Sequence, residues 1–184
     1  AYSIVRNYLK NKDPHLKLFI IHSLDRDTSG LMMFAKNIEA KEEMQRNRNN
    51  MVLSSIYVAV VEGKVEEESG TVRSYLAETS QYEVYSTQNP EEGQLAITRY
   101  KRLDCRHGYS LMELSLDTGR KNQIRVHMKD LGHPIVGDRK YGAKSSPLRR
   151  MALHARTLRF VHPVTRKDML FETPIPSRFL SLLK

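Results

Sequence analysis

Between Gln81 and Asp117 the chain alternates apolar and polar residues in three successive segments, Gln81–Gln88, Leu95–Leu103 and Tyr109–Asp117. The stretches between them, Asn89-Pro-Glu-Glu-Gly93 and Arg106-His107-Gly108, are turn-forming and too short to carry a crossover helix. The segments are therefore expected to pair antiparallel, the first two as a hairpin and the third added beside them. Within the third, Met112, Leu114 and Leu116 share one face, and Glu113, Ser115 and Asp117 share the other. A meander of this kind excludes a simple βαβ series for the middle of the chain.

The flanking segments read as a mixture. Tyr2–Lys10 pairs Ile4 with Tyr8 and Val5 with Leu9 at helical spacing, and Asp13-Pro14 ends it. Leu16–Ile21 reads as a buried strand, and a second apolar run covers Leu31–Ala35. Asn37 is placed to cap a polar helix through Arg46, with Ile38 and Met44 as its apolar contacts. Met51–Val61 reads as a strand, Glu62–Gly70 as a solvated acidic connection, and Arg120–Leu131 as a helix whose apolar face is Ile124, His127, Met128 and Leu131. Gly132 and Pro134 stop that helix. Met151–Phe160 fits a strand or a short helix, and Met169–Pro176 an edge strand before an amphipathic turn at Phe179–Leu183. The expectation is an α+β fold with a mixed, largely antiparallel central sheet and flanking helices. The length of 184 residues suits one domain, 1–184.

Charge narrows the partner. The chain carries +9 overall, but residues 1–92 hold 11 basic and 14 acidic side chains, and residues 93–184 hold 19 basic and 7 acidic. Three basic clusters crowd the second half: Arg99, Lys101, Arg102 and Arg106; Arg120, Lys121, Arg125 and Lys129; and Arg139, Lys140, Lys144, Arg149 and Arg150. Such clusters serve solubility, or they form the footprint of a phosphate backbone, which three of them in one half suit better. The apolar runs fall far short of the ~20 residues of a membrane span. No secretory signal pattern opens the chain, so a cytoplasmic protein without membrane contact is expected. The one cysteine, Cys105, excludes an internal disulfide and a cysteine-based zinc site, and the spacings of His127, His133 and His154 match no common ligand signature. No metal is expected.

Three residues stand out as chemistry. Asp25 lies between an apolar run and a Thr-Ser-Gly turn; it is either a turn former beside Asp27, Thr28 and Ser29, or a carboxylate fixed by a scaffold with its tip in a cleft. Arg125 sits at the margin of the buried helix face, either solvent-exposed or reaching inward to a carboxylate. Tyr57, centred in a strand, reads by default as an ordinary core tyrosine with its hydroxyl satisfied.

In order along the chain, His22-Ser-Leu-Asp-Arg-Asp-Thr-Ser-Gly30 with Leu31-Met-Met-Phe-Ala-Lys36, Ile56-Tyr-Val-Ala-Val-Val-Glu-Gly63, Thr118-Gly-Arg-Lys-Asn-Gln-Ile-Arg-Val-His127 with Leu131-Gly-His-Pro-Ile-Val-Gly-Asp138, and Ala152-Leu-His-Ala155 with Phe160-Val-His-Pro163 resemble the RluA-type pseudouridine synthases. The resemblance runs from about Leu16 to Pro176, and Thr-Ser-Gly favours the RluA type over the RsuA type. It implies isomerisation of uridine to pseudouridine within rRNA or tRNA by a monomer that uses neither cofactor nor metal. By the same resemblance Asp25 is the essential carboxylate, acting as a nucleophile at ribose or uracil, or as a base at ribose. Tyr57 packs on the target uracil and assists removal of the C5 proton, and Arg125 pairs with the aspartate. Arg26, Thr28, Arg120, Lys121, Gln123 and His127 are the implied substrate-binding residues, although spacing alone assigns His127 to the packed face of its helix.

The sequence departs from the family pattern at Ser23, where an arginine is usual; at Ser55, where a lysine is common; and at Lys121-Asn122, which stand for a Thr-His pair. A strand segment with a Lys-Pro turn is expected upstream, and no S4-type RNA-binding domain is read. A second function remains open on these departures, a non-catalytic RNA-binding module that keeps the fold. A glycoside hydrolase would need a second placed carboxylate, for which Asp27 is the only local candidate.

Overall fold

The hairpin formed by Leu95–Leu103 and Tyr109–Asp117 is present in a computed structural model that describes residues 1–184. β7 (Gln94–Arg106) and β8 (Tyr109–Leu116) are joined by His107 and Gly108, with φ of 54° and 77°. Two successive left-handed residues give the turn whose twist matches that of paired strands. A register shift between Arg102 and Asp104 leaves Leu103 as an extra residue and bends β7.

The other expected hairpin is not made. β5 (Ser69–Glu78), which the sequence reading left partly in the acidic connection, lies between β6 (Val84–Thr87) and β7. Tyr75 is paired with Thr87 on one side and with Leu95 on the other. The alternation that drives this is weak in apolar residues, because one of the inward positions of β5 is Ser74, buried beside Leu76. Its hydroxyl is satisfied at 3.0 Å by Nε2 of His127, a partner that sequence order hides.

β4 (Val52–Glu62) runs antiparallel to both β8 and β9 (Leu153–Val161), and β10 (Asp168–Glu172) closes that edge. The order β10-β9-β4-β8-β7-β5-β6 is antiparallel throughout, and β2 (Ser29–Gly30), parallel to β9, makes the sheet mixed. The fold is α+β, as expected. Val58, Ala59, Val60 and Val61 are all fully buried, the mark of a central strand covered on both faces. They share a core with Met112 and Leu114 of β8, Ile124 and Met128 of the helix α4 (Gln123–Asp130), and Phe179 of the C-terminal turn.

A smaller core of Ile21, Met33, Ala35, Met44, Met51, Leu158 and Phe160 attaches the N-terminal third to β9. It holds the short antiparallel pair β1 (Phe19–Ile20) and β3 (Phe34–Ala35), the helix α2 (Ile38–Arg46) and the single turn α3 (Arg48–Met51). Asn37 caps α2 as expected, accepting a hydrogen bond from the Ala40 amide at 2.8 Å. Met44 is fully buried there, whereas Ile38 is 38% exposed and makes no core contact of the kind its spacing suggested. In the first helix, α1 (Tyr2–Lys12), only Leu9 is buried.

α4 starts at Gln123 rather than Arg120, because Asn122 is left-handed at φ 55° and the preceding residues form a loop. Its end follows expectation: Gly132 donates to the Lys129 carbonyl and His133 to that of Met128, with Gly132 at φ 82°. No helix is long and apolar enough to cross a membrane.

Candidate active site

Asp25 stands in the loop between β1 and β2, and the Thr28 amide donates to its carbonyl at 2.9 Å to close a turn. The loop is fastened to β9. Gly30 has φ 110°, and a Cβ there would lie 2.1 Å from the Ala155 carbonyl oxygen, so only glycine permits the parallel bridge to β9. Ser29 Oγ is 2.8 Å from His154 Nδ1, and Arg150 donates to the Asp27 carbonyl at 3.0 Å. The Asp25 carboxylate is thus presented from a strand-anchored turn with its side chain 30% exposed.

Arg125, in the first turn of α4, meets that carboxylate. Its Nη1 donates to Asp25 at 3.3 Å and to Asn122 at 3.1 Å, while Nε and Nη2 form a fork onto Asp138 at 2.7 and 2.8 Å. The guanidinium lies 4.7 Å from the centre of the Tyr141 ring. Burial opposes the charge on Arg125, but Asp138 and then Asp25 more than offset it, so the arginine stays cationic. The fork with Asp138, whose side chain is 2% exposed, is the tighter contact and fixes the guanidinium; the Asp25 contact is longer and more open.

Both residues face a cavity of about 550 Å³. Tyr57 reaches it from β4 at a register shift between Ile56 and Tyr57. Burial raises the phenol pKa, the Arg48 charge opposes this, and Asp25 adds to it, so Tyr57 is a neutral hydroxyl at physiological pH. His22 lies on the same wall, its pKa lowered to about 4 by burial and by the positive charge of Arg48. It is neutral, and its Nε2 is buried without a hydrogen-bond partner.

The structure brings Asp25, Tyr57 and Arg125 to one cavity, together with Thr28, Arg120, Lys121 and Gln123. Lys121 is held by Glu78, and Arg120 donates to the Leu95 carbonyl at 3.1 Å. Gln123 braces the loop: its oxygen accepts from Thr118 and the Arg120 amide, and its amide nitrogen donates to Ile97 and Thr98. His127 lies elsewhere. It is fully buried, with Nδ1 2.8 Å from Thr98 Oγ1 and Nε2 on Ser74, so its ring belongs to the core network. Arg26 is exposed and outside the cavity wall. No group of three or more His, Cys, Asp or Glu side chains converges as a metal ion would require.

Asp138, Arg48 and His22 were not singled out from sequence. Asp138 ends the motif Leu131–Asp138 on which the resemblance rests, but the motif gives it no role, and its partnership with Arg125 appears once α4 and the following loop are folded together.

One cavity of a largely antiparallel sheet is thus lined by a carboxylate, the arginine that holds it and a tyrosine. A profile of the family described as RNA pseudouridylate synthase matches residues 1–130. The uncharacterized RNA pseudouridine synthase YhcT of Bacillus subtilis is 37% identical over 166 residues, covering 89% of this chain and 55% of that protein. The ribosomal large subunit pseudouridine synthase D of Haemophilus influenzae is 35% identical over 178 residues, covering 89% and 54%. Among solved structures, human RNA Pseudouridylate Synthase Domain Containing 1 superposes with a TM-score of 0.78 at 27% identity, over 94% of this chain and 74% of that one. The chain belongs to the RNA pseudouridylate synthase family, and it spans about half the length of the curated relatives it matches.

Proposed function

We propose that this chain isomerises uridine to pseudouridine in rRNA or tRNA. The observation that carries the reading is the Asp25 carboxylate, held at 3.3 Å by an arginine that Asp138 has already fixed, in the cavity that Tyr57 also lines. A carboxylate that starts cleavage of the bond between uracil N1 and ribose C1′ has to be ionised although partly desolvated, and a cationic partner reconciles those demands. The freed uracil turns on the Tyr57 face and rejoins C1′ through C5. The proton lost from C5 is balanced by one gained at N1, so no net atom enters or leaves. Asp25 serves either as a nucleophile at ribose or uracil or as a base at ribose. The target base leaves its stack to reach Asp25, and the aromatic wall offsets part of the unstacking cost.

The test incubates the protein with tRNA and rRNA and maps pseudouridine by carbodiimide modification and primer extension. New stops with the native protein and none with Asp25→Ala support the reading, given unchanged circular dichroism. Binding of RNA without product would instead mark a non-catalytic RNA-binding module, for which the short neutral side chains of Ser23 and Ser55 on the cavity wall are the motivation.

A further inference from the structure

The cations around the cavity are unequal. Arg125 is held by Asp138 and Asp25, Lys121 by Glu78, and Arg120 spends its Nε on a backbone carbonyl. The carboxylate of Asp117 on the same wall is taken by Arg99, whose Nε and Nη2 reach it at 2.9 and 2.7 Å. Arg48 alone has neither an ion pair nor a side-chain hydrogen bond, although it lines the cavity.

The turn α3 that carries Arg48 is anchored by Met51, buried in the smaller core, and by the Met51 amide donating to the Asn47 carbonyl at 2.9 Å. From there the guanidinium crosses to the loop between β8 and α4, where a Cβ added to Gly119 would stand 3.2 Å from its Nη2. The guanidinium therefore lies close against the Gly119 backbone. Beside it, the buried Nε2 of His22 has no partner, and the charge of Arg48 reaches both His22 and Tyr57. Ser23, Ser54 and Ser55 offer no competing cation on this wall.

We infer that Arg48 is a phosphate-binding residue of the cavity, gripping the backbone of the nucleotide whose base enters towards Asp25. An unpaired guanidinium is suited to this, since its planar fork of donors matches phosphate oxygens and it is weakly hydrated. The inference rests on the RNA reading above and adds a residue to it that carries binding rather than bond cleavage.

The test measures binding of a fluorescein-labelled RNA hairpin with an all-uridine loop over a range of salt, beside pseudouridine formation in cellular RNA. Arg48→Ala should weaken hairpin binding about tenfold and lower the salt slope by about one. Arg48→Lys should restore the slope, and Arg159→Ala, an exposed arginine paired with Asp168 on the β9–β10 edge, should change neither. Because Arg48 is exposed, its two variants should keep the native circular dichroism and melting temperature. Arg48→Ala binding within about twofold of native with an unchanged slope overturns the assignment. Arg48-dependent binding with no pseudouridine formed by the native protein overturns the enzymatic reading while supporting the phosphate site.

Discussion

Asp138 decides how Arg125 behaves. Replacing it with alanine leaves a largely buried guanidinium with only its Nη1 contacts to Asp25 and Asn122, and removing one member of such a pair costs about 3–5 kcal/mol. Asp138→Ala is expected to lower the denaturant midpoint by that order and to abolish activity, whereas Arg125→Lys keeps the charge and loses the fork, so it should impair turnover more than stability. His127 makes the opposite prediction. With both ring nitrogens engaged by Thr98 and Ser74, His127→Ala should cost about 2–4 kcal/mol of stability while KM for RNA is unchanged in the protein that remains folded. His22 adds a pH dependence. Its pKa is about 4 in the fold and near 6.5 when unfolded, so the unfolded chain binds the extra proton first as pH falls. Stability contributed by neutral His22 is full above about 6.5 and drains away towards 4; denaturant melts across that window should show a shallower fall for His22→Gln. Asp25, Tyr57 and Arg125 are legible as candidates because each lies in a motif whose resemblance assigns it a role. Asp138 also ends such a motif but acquires meaning only with Arg125, and Arg48 lies in no motif and is marked only by the cavity it lines.

At the scale of elements, Asn37 and the Gly132-His-Pro134 stop were readable because capping is a local transaction. β5 was not, because a strand with a serine at a core position looks half polar until the buried histidine opposite is known. The same gap produced the wrong neighbour for β6, since alternation fixes a face but not which strand lies beside it. The short parallel pair of β2 with β9 is the element on which the position of Asp25 most depends. Gly30→Ala must push the Ala155 carbonyl away and take up a strained backbone angle, at a cost of about 2–4 kcal/mol. It should lower thermal stability and, in folded protein, reduce turnover without altering the salt dependence of RNA binding.

Across the molecule, the separation of charge along the sequence is not a separation into lobes. β4, from the acidic half, lies between β8 and β9 of the basic half, so Tyr57 and Asp25 of the one line the same cavity as Arg125 of the other. The net +12 segment instead supplies surface: Arg139, Lys140, Lys144 and Arg149 are exposed on the loop beyond α4, close in sequence to Asp138. RNA binding through such a surface should fall steeply and linearly with the logarithm of salt, and a slope near zero would remove the phosphate role from these residues. The most direct test of the whole account is tritium release from RNA labelled at uridine C5. The native protein should release the label to water and Asp25→Asn should release none while still binding the RNA. Release by Asp25→Asn at the native rate, or none by the native protein on RNA it binds, would contradict it.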